Sequence, residues 1–262
     1  MKNTRFENLS LFLAAIVCFS VIFSATPLLA ADPAISLGGG VALVPDYEGS
    51  EDYTGAPALL FSARWESGNF IKFAGTSLRA NVLPNKTWSL GPVLQYRGER
   101  NDDVSNNQVA DMRKIDSTIE AGAFVGFNAE GFDAGLEWVT DTSNKHDGAL
   151  AKMSAGYSFH WLGLANRVGI SATYADDDYM DTYFSVDANN AARSGLDVYE
   201  AEAGIKDFGV DVTASYSINN NWSLMGLLGV KALLNDAKDS PVVDDVGSSS
   251  QLTAGLMAVY HF

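Results

Sequence analysis

The chain has 262 residues and is acidic, with 17 Lys and Arg against 32 Asp and Glu and a formal net charge of −15; this balance excludes nucleic-acid binding through phosphate contacts. Hydrophobic residues make up 47% of it, too many, and too regularly spaced, for a disordered chain. One cysteine, Cys18, excludes a disulfide framework and a site built on several thiolates.

Lys2 and Arg5 precede an uncharged stretch, Leu9 to Ala31, that ends in Leu29-Ala30-Ala31 before Asp32. This is the order of a basic segment, an apolar segment and a cleavage site, so 1–30 reads as a secretory signal peptide cut after Ala30 or Ala31. A retained anchor competes, because the run could span a bilayer; Pro27 and the Ala30-Ala31 pair favour cleavage. Cys18 follows Val17 rather than a small residue, which argues against a lipoprotein anchor. Cleavage leaves a mature unit, 31–262, with no cysteine, 15 basic and 31 acidic residues, and no linker or composition shift to mark a second domain.

From there onward apolar residues fall on alternate positions, the period of a strand. Ile35, Leu37, Val41 and Leu43 come first, then Trp88, Leu90, Pro92 and Leu94, then Ile119, Ala121, Ala123, Val125 and Phe127. Phe132, Leu136 and Trp138 follow, then Met153, Ala155, Tyr157 and Phe159, then Val168, Ile170 and Tyr174. Val210, Val212, Tyr216 and Ile218 precede Trp222, Leu224, Leu228 and Val230, and the chain ends on Leu252, Ala254, Leu256, Ala258, Tyr260 and Phe262. No amphipathic helix of comparable quality appears after the signal, so the fold is all-β.

Two all-β readings compete. In a sandwich the apolar faces meet each other; in a membrane barrel they meet lipid and the opposite faces line a polar lumen. Several segments run about 10 to 13 residues, as a tilted membrane strand requires, against roughly 5–6 in soluble sheets. Aromatics cluster at segment ends, among them Trp65, Trp88, Trp138, Tyr174, Trp222 and Tyr260, where interfacial girdles belong. Tight connections near 66–69, 129–131 and 219–221 contrast with long acidic ones near 45–55, 99–114, 175–196 and 235–250. The pattern favours a transmembrane antiparallel up-and-down β-barrel with periplasmic termini.

A count gives twelve segments, near 35–44, 56–66, 69–82, 87–98, 115–128, 131–142, 147–160, 165–175, 197–206, 209–218, 222–234 and 249–262, with ten to fourteen allowed. This division puts long loops on both sides of the membrane. The apolar phase also slips inside 69–82, which a bulge or an extra turn at Gly75-Thr76-Ser77 would explain. A short strand at Tyr183-Phe184-Ser185-Val186 would restore parity further on.

The loop motifs add a resemblance. Tyr47-Glu48-Gly49-Ser50 with Tyr53 and Pro57, Gly91-Pro92-Val93 leading to Tyr96 and Gly98-Glu99-Arg100, Ala172-Thr173-Tyr174 with Tyr179-Met180, Asp236 to Val243, and the closing Tyr260-His261-Phe262 stand in order across the chain. Together they resemble the MipA/OmpV family of Gram-negative outer-membrane proteins. The resemblance implies an outer-membrane barrel without known catalytic residues. It further implies a scaffold that joins a murein-cleaving lytic transglycosylase to a penicillin-binding protein, or roles in osmotic response and host adhesion.

Candidate sites divide by location. The expected lumen face carries Arg64, Arg79, Arg97, Lys152, Arg167 and Lys231 beside Glu120, Asp133, Glu137, Glu200, Glu202 and Asp211; such mixed charge reads either as a network that fills the barrel or as the lining of a narrow channel. Ser158 and His160 share that face, as a Ser/His/acid hydrolase would need, but Ser-x-His is common by chance and His160 falls near a short turn. His146 belongs to a polar loop. Asp176-Asp177-Asp178 with Asp181, and Asp236, Asp239, Asp244 and Asp245, could gather divalent cations or share them with lipopolysaccharide phosphates, although the spacing is not that of an EF-hand and a solvated loop is the plainer reading. No catalytic residue, cofactor or metal site is assigned.

Thr253, Gly255, Ala258, Tyr260 and Phe262 resemble the signal that the barrel-assembly machinery reads on a closing strand, with His261-Phe262 extending past its usual end. This strand is expected to pair with 35–44, its even face to lipid and its odd face to the lumen. The expected role is non-enzymatic. A scaffold for peptidoglycan-remodelling enzymes leads; a surface adhesion or stress protein and a small-solute channel are the alternatives. Expected partners are outer-membrane lipid, lipopolysaccharide and the assembly machinery, with the transglycosylase and penicillin-binding protein implied by the resemblance.

Overall fold

The computed structural model describes residues 32–262; the expected signal peptide and its cleavage site at Ala30 or Ala31 lie outside the described residues. Twelve antiparallel strands close on themselves. In chain order they are β1 (Ala34–Pro45), β2 (Tyr53–Arg64), β3 (Phe70–Ala74), β4 (Ser77–Asn81), β5 (Trp88–Arg97), β6 (Thr118–Ala129), β7 (Phe132–Asp141), β8 (Ala149–Trp161), β9 (Leu164–Ala175), β10 (Gly204–Ser217), β11 (Trp222–Leu233) and β12 (Ser250–His261). Each pairs with its sequence neighbours, and β12 pairs with β1 to complete the wall.

The alternation seen in the sequence becomes the inside and outside of this wall. Val41, Leu136, Met153 and Leu228 are 70%, 47%, 66% and 53% exposed, and no second sheet covers them among the described residues. An apolar belt of that extent does not suit water and does suit lipid. At the end that carries Ala34 and His261, aromatic rings meet edge to face: Trp88 with Phe127 at 5.0 Å, Trp222 with Tyr260 at 5.0 Å and Tyr260 with Phe262 at 4.8 Å.

The strand number agrees with expectation through two differences that cancel. Segment 69–82 is not one bulged strand; the chain turns at Gly75, whose φ is +61°, and returns as β4. Segment 197–206 is not a strand of its own: Tyr199 makes one isolated bridge to Val186 in a loop, and β10 runs unbroken from Gly204 through the expected strand at 209–218. Parity is thereby restored. The connections 46–52, 98–117, 142–148, 176–203 and 234–249 all lie at one end, and the short turns 65–69, 82–87, 130–131, 162–163 and 218–221 at the other. Two of those turns, Glu130-Gly131 and Leu162-Gly163, have positive φ at both residues (53° and 82°, 54° and 75°), the hand that matches the twist of a two-residue hairpin.

The short β3–β4 hairpin leaves one edge uncovered. β2 pairs with β3 only from Leu60 to Arg64, and Gly75 N–H donates to Leu59 O at the hairpin tip. Above that point Tyr53 to Ala58 have, among the described residues, no strand beside them on the side away from β1. Pro57, which has no N–H to donate, sits on this stretch, where a ladder loses least by it.

The buried core joins inward-facing wall residues to the loops that cross the long-loop mouth. Five short helices form there: α1 (Asn107–Ala110), α2 (Asp177–Phe184), α3 (Ala188–Ser194), α4 (Asn235–Asp239) and α5 (Pro241–Asp244). Asn106, Asp176, Asp187 and Ser240 cap four of them with side-chain oxygens, and Pro241 takes the first helical position of α5. Tyr179, Met180 and Phe184 of α2 pack with Val93, Ile115, Phe124, Leu233 and Val243 into one apolar cluster. A second, of Tyr47, Val109, Met112, Val186, Leu196 and Val242, lies beside it.

Candidate functional site

A buried polar cluster lies beneath this plug, and a bulge creates it. The β9–β10 register slips between Ile205 and Asp207, so two successive residues, Lys206 and Asp207, are buried at 2% and 0% exposure while Ile205 and Phe208 stay outside at 44% and 43%. Lys206 Nζ donates to Asp207 at 2.7 Å and to Glu48 of the first loop. Thr173 donates its hydroxyl to the other oxygen of Asp207 at 2.9 Å, and Lys231 stands 3.5 Å from Asp207 and 3.9 Å from Glu48. Burial would raise the Glu48 carboxyl, but Lys206, Lys231 and Arg97 outweigh it and hold the group well below the usual carboxylate range.

The Tyr179 hydroxyl donates to the second oxygen of Glu48 at 2.6 Å; burial keeps that hydroxyl well above its ordinary pKa, so it remains a donor. Tyr179 and Tyr183 stack at 4.5 Å, and the Arg97 guanidinium lies 4.8 and 5.6 Å from their ring centres. Arg97 also makes a two-pronged pair with Glu120 at 2.7 and 3.1 Å. His146 reaches the same carboxylate at 3.1 Å through Nε2, while its Nδ1 accepts from Gly148 N–H at 3.1 Å, which assigns the ring proton to Nε2. Removing one member of such a buried set strands the others, so the arrangement fixes one seating of the plug.

Below it the wall carries a second set. Arg167 pairs with Asp133 at 2.7 and 2.9 Å and with Asp211 at 3.0 Å, and Arg79 pairs with Glu137 at 2.7 Å. Two cavities remain in the lumen, about 540 Å³ directly under the plug and about 660 Å³ toward the short turns, with Lys152, Ser171 and Asp211 common to both linings.

The expected lumen residues Arg64, Arg79, Arg97, Lys152, Arg167, Lys231, Glu120, Asp133, Glu137 and Asp211 contribute to these clusters or line these cavities. Glu200 and Glu202 do not; they are exposed in the loop before β10, and the bulge puts Lys206 and Asp207 in the lumen in their stead. A register slip opposite Tyr174 and Thr173 depends on the partner strand, so alternation along the chain alone carries no sign of it.

Ser158 and His160 lie on β8 at the short-turn end, but His160 makes no hydrogen bond to Ser158 or to a carboxylate among the described residues. The acidic loops have structural partners: Asp176 accepts from Tyr179 and Ala149 N–H, Asp177 from Ala203 N–H and Asp236 from Glu202 N–H. Among the described residues no three or more His, Cys, Asp or Glu side chains gather as a metal site would require. Thr253, Gly255, Ala258 and Tyr260 lie on β12, with Phe262 just beyond it. Val259 is fully buried while Leu256 and Phe262 are 52% and 72% exposed, so the even face is the outer one. His261 sits inside the closing seam, 2.9 Å from Ser36 Oγ on β1 and 2.9 Å from Ser223 Oγ on β11.

Residues 37–262 match the family described as MltA-interacting protein MipA. YiaT of Escherichia coli K12, an outer membrane protein by name, is 25% identical over 198 residues, which span 76% of this chain and 73% of YiaT. The MltA-interacting protein of Escherichia coli K12 is 26% identical over 143 residues, 54% of this chain and 57% of that protein. Among solved structures, an outer membrane channel from Pseudomonas putida F1 aligns over 91% of this chain and 97% of its own, at 13% identity and a TM-score of 0.44.

Proposed function

The chain belongs to the MltA-interacting protein MipA family and is an outer-membrane β-barrel; from that premise we propose that it is a non-enzymatic scaffold that presents its periplasmic turns to peptidoglycan-remodelling enzymes. The family supplies the partner class: a relative is named for its interaction with MltA. The observation that carries the reading is the asymmetry of the barrel ends. The long loops are folded inward as a plug, with Tyr179 and Phe184 fully buried, and so offer little extended surface. Short turns face the periplasm in such barrels, and here the β8–β9 turn exposes Leu162 at 75%. A plugged mouth also favours a structural or binding role over an open diffusion pore.

Photo-cross-linking residues placed singly at Ser67, Leu162 and Asn220 in intact cells test this reading. Adducts with a lytic transglycosylase or a penicillin-binding protein are expected. Recovery of lipopolysaccharide and assembly factors alone would overturn it.

A further inference from the structure

The lower cavity has a charge balance opposite to that of the protein. A chain of net charge −15 lines this space of about 660 Å³ with six cations, Arg64, Lys72, Arg79, Lys86, Lys152 and Arg167, and three carboxylates, Asp133, Glu137 and Asp211. All three carboxylates are engaged by two of the cations: Asp133 and Asp211 by Arg167, Glu137 by Arg79. Arg64, Lys72, Lys86 and Lys152 make no ion pair within 4.0 Å among the described residues, although Lys152 stands opposite Glu137 in the β7–β8 register.

The placement of two of these cations works against the stability of the wall. Lys72 on β3 is directly opposite Arg79 on β4 in the register, and like charges in that position destabilise a strand pair. Both line the cavity, and Arg64 joins them from β2 across the ring of Phe70 at 5.1 Å. Lys152 approaches from β8. Phe70 and Phe124, 6.0 Å apart, add apolar surface, and Ser89, Ser154 and Ser158 add hydroxyls. The cavity reaches the short-turn rim at Gly68 and Asn85 to Thr87, the periplasmic end of such a barrel.

We propose that the lower lumen is a binding vestibule for a small organic anion with two or more carboxylate or phosphate groups, entering from the periplasm. An anion seated between Lys72, Arg79 and Lys152 neutralises the opposed pair, and a multivalent one spans from the β3–β4 hairpin to β8. The aromatic pair favours an organic skeleton over a bare inorganic ion. This inference does not rest on the scaffold reading.

Calorimetric titration of the membrane-extracted protein in zwitterionic detergent, with citrate in one arm and fructose 1,6-bisphosphate in the other, tests it and separates the two anionic chemistries. Saturable, salt-sensitive binding of at least one is expected, weakened about tenfold or more in the double variant Lys72→Gln, Lys152→Gln and unchanged in Lys114→Gln, whose lysine pairs with Asp102 in an exposed loop. Because Lys72→Gln also relieves the like-charge pair, its melting temperature in the absence of anion is expected to equal or exceed wild type, which shows that the variant folds. Absence of saturable binding of both anions up to roughly 10 mM, or binding that the double variant leaves unchanged, would overturn the proposal.

Discussion

The Tyr179 hydroxyl donates to Glu48 at 2.6 Å, tying α2 of one long loop to the first loop of the barrel. The bond also ties the plug to the wall, because Glu48 carries the link onward to Lys206 and Lys231.

Tyr179→Phe keeps the ring stack with Tyr183 and removes only the hydroxyl. A hydrogen bond to a charged acceptor contributes about 1.5–3 kcal/mol, so the plug should loosen by that order while the barrel stays closed. Faster proteolysis within 176–203 with an unchanged wall, read by strand circular dichroism, is the expected result.

Acid should loosen the same latch. The Glu48 value is depressed in the folded state, so its contribution is fully present above the unfolded value of about 4.3 and is lost progressively as pH falls from there through the folded value. Hydrogen exchange across 177–184, corrected for the intrinsic rate, should be flat from pH 7 to about 5 and rise below about 4. Glu48→Gln should show raised exchange throughout, with the pH dependence gone.

Lys206→Met removes the closer cation of Asp207 and Glu48 and leaves them only Lys231, 3.5 and 3.9 Å away. Breaking a buried pair in this way costs about 3–5 kcal/mol, and denaturant unfolding should register that loss. Lys206→Met combined with Asp207→Leu should recover part of it, since the stranded carboxylate is then gone; a double variant as unstable as the single one would count against the pairing as described.

At the closing seam, a Cβ added to Gly40 would lie 2.0 Å from Leu256 O, whereas one added to Gly39 meets nothing within 4 Å. Gly40→Ala should therefore destabilise the barrel by about 1–3 kcal/mol, the cost of overpacking. Gly39→Ala, on the outer face, should be tolerated. Vesicle folding yield for the two variants provides the comparison.

We propose that Thr253, Gly255, Ala258, Tyr260 and Phe262 form the segment read by the assembly machinery, as their resemblance to such signals implies. Replacing Phe262 and Tyr260 by Ala should slow the appearance of the heat-modifiable folded band in pulse-chase experiments. The wall should persist once formed, because the β1–β12 ladder from Ser36 to Leu43 needs neither ring.

Much of the wall was legible in the sequence because each strand's outward face repeats every second residue: Val41, Leu136 and Leu228 declare their side without reference to any neighbour. The β3–β4 hairpin was only half legible. The phase change within 69–82 marked it, but a bulge and a two-residue turn produce the same slip, and only the pairing of Lys72 with Arg79 distinguishes them. The segment 197–206 misled for a related reason: a run compatible with a strand needs a partner ladder, and before Gly204 it finds only the single bridge from Tyr199 to Val186.

The sequence by itself determined an all-β barrel with an apolar exterior, and its motifs pointed to the family, because alternation and local motifs are properties of consecutive residues. Only the tertiary structure decided which loops share an end, that they fold into a plug, that the bulge turns Lys206 and Asp207 inward together, and that cations outside any ion pair line the lower lumen. Each of these is a relation between strands distant in the chain. Register, closure and the pairing of charge across a lumen exist only once the wall has closed.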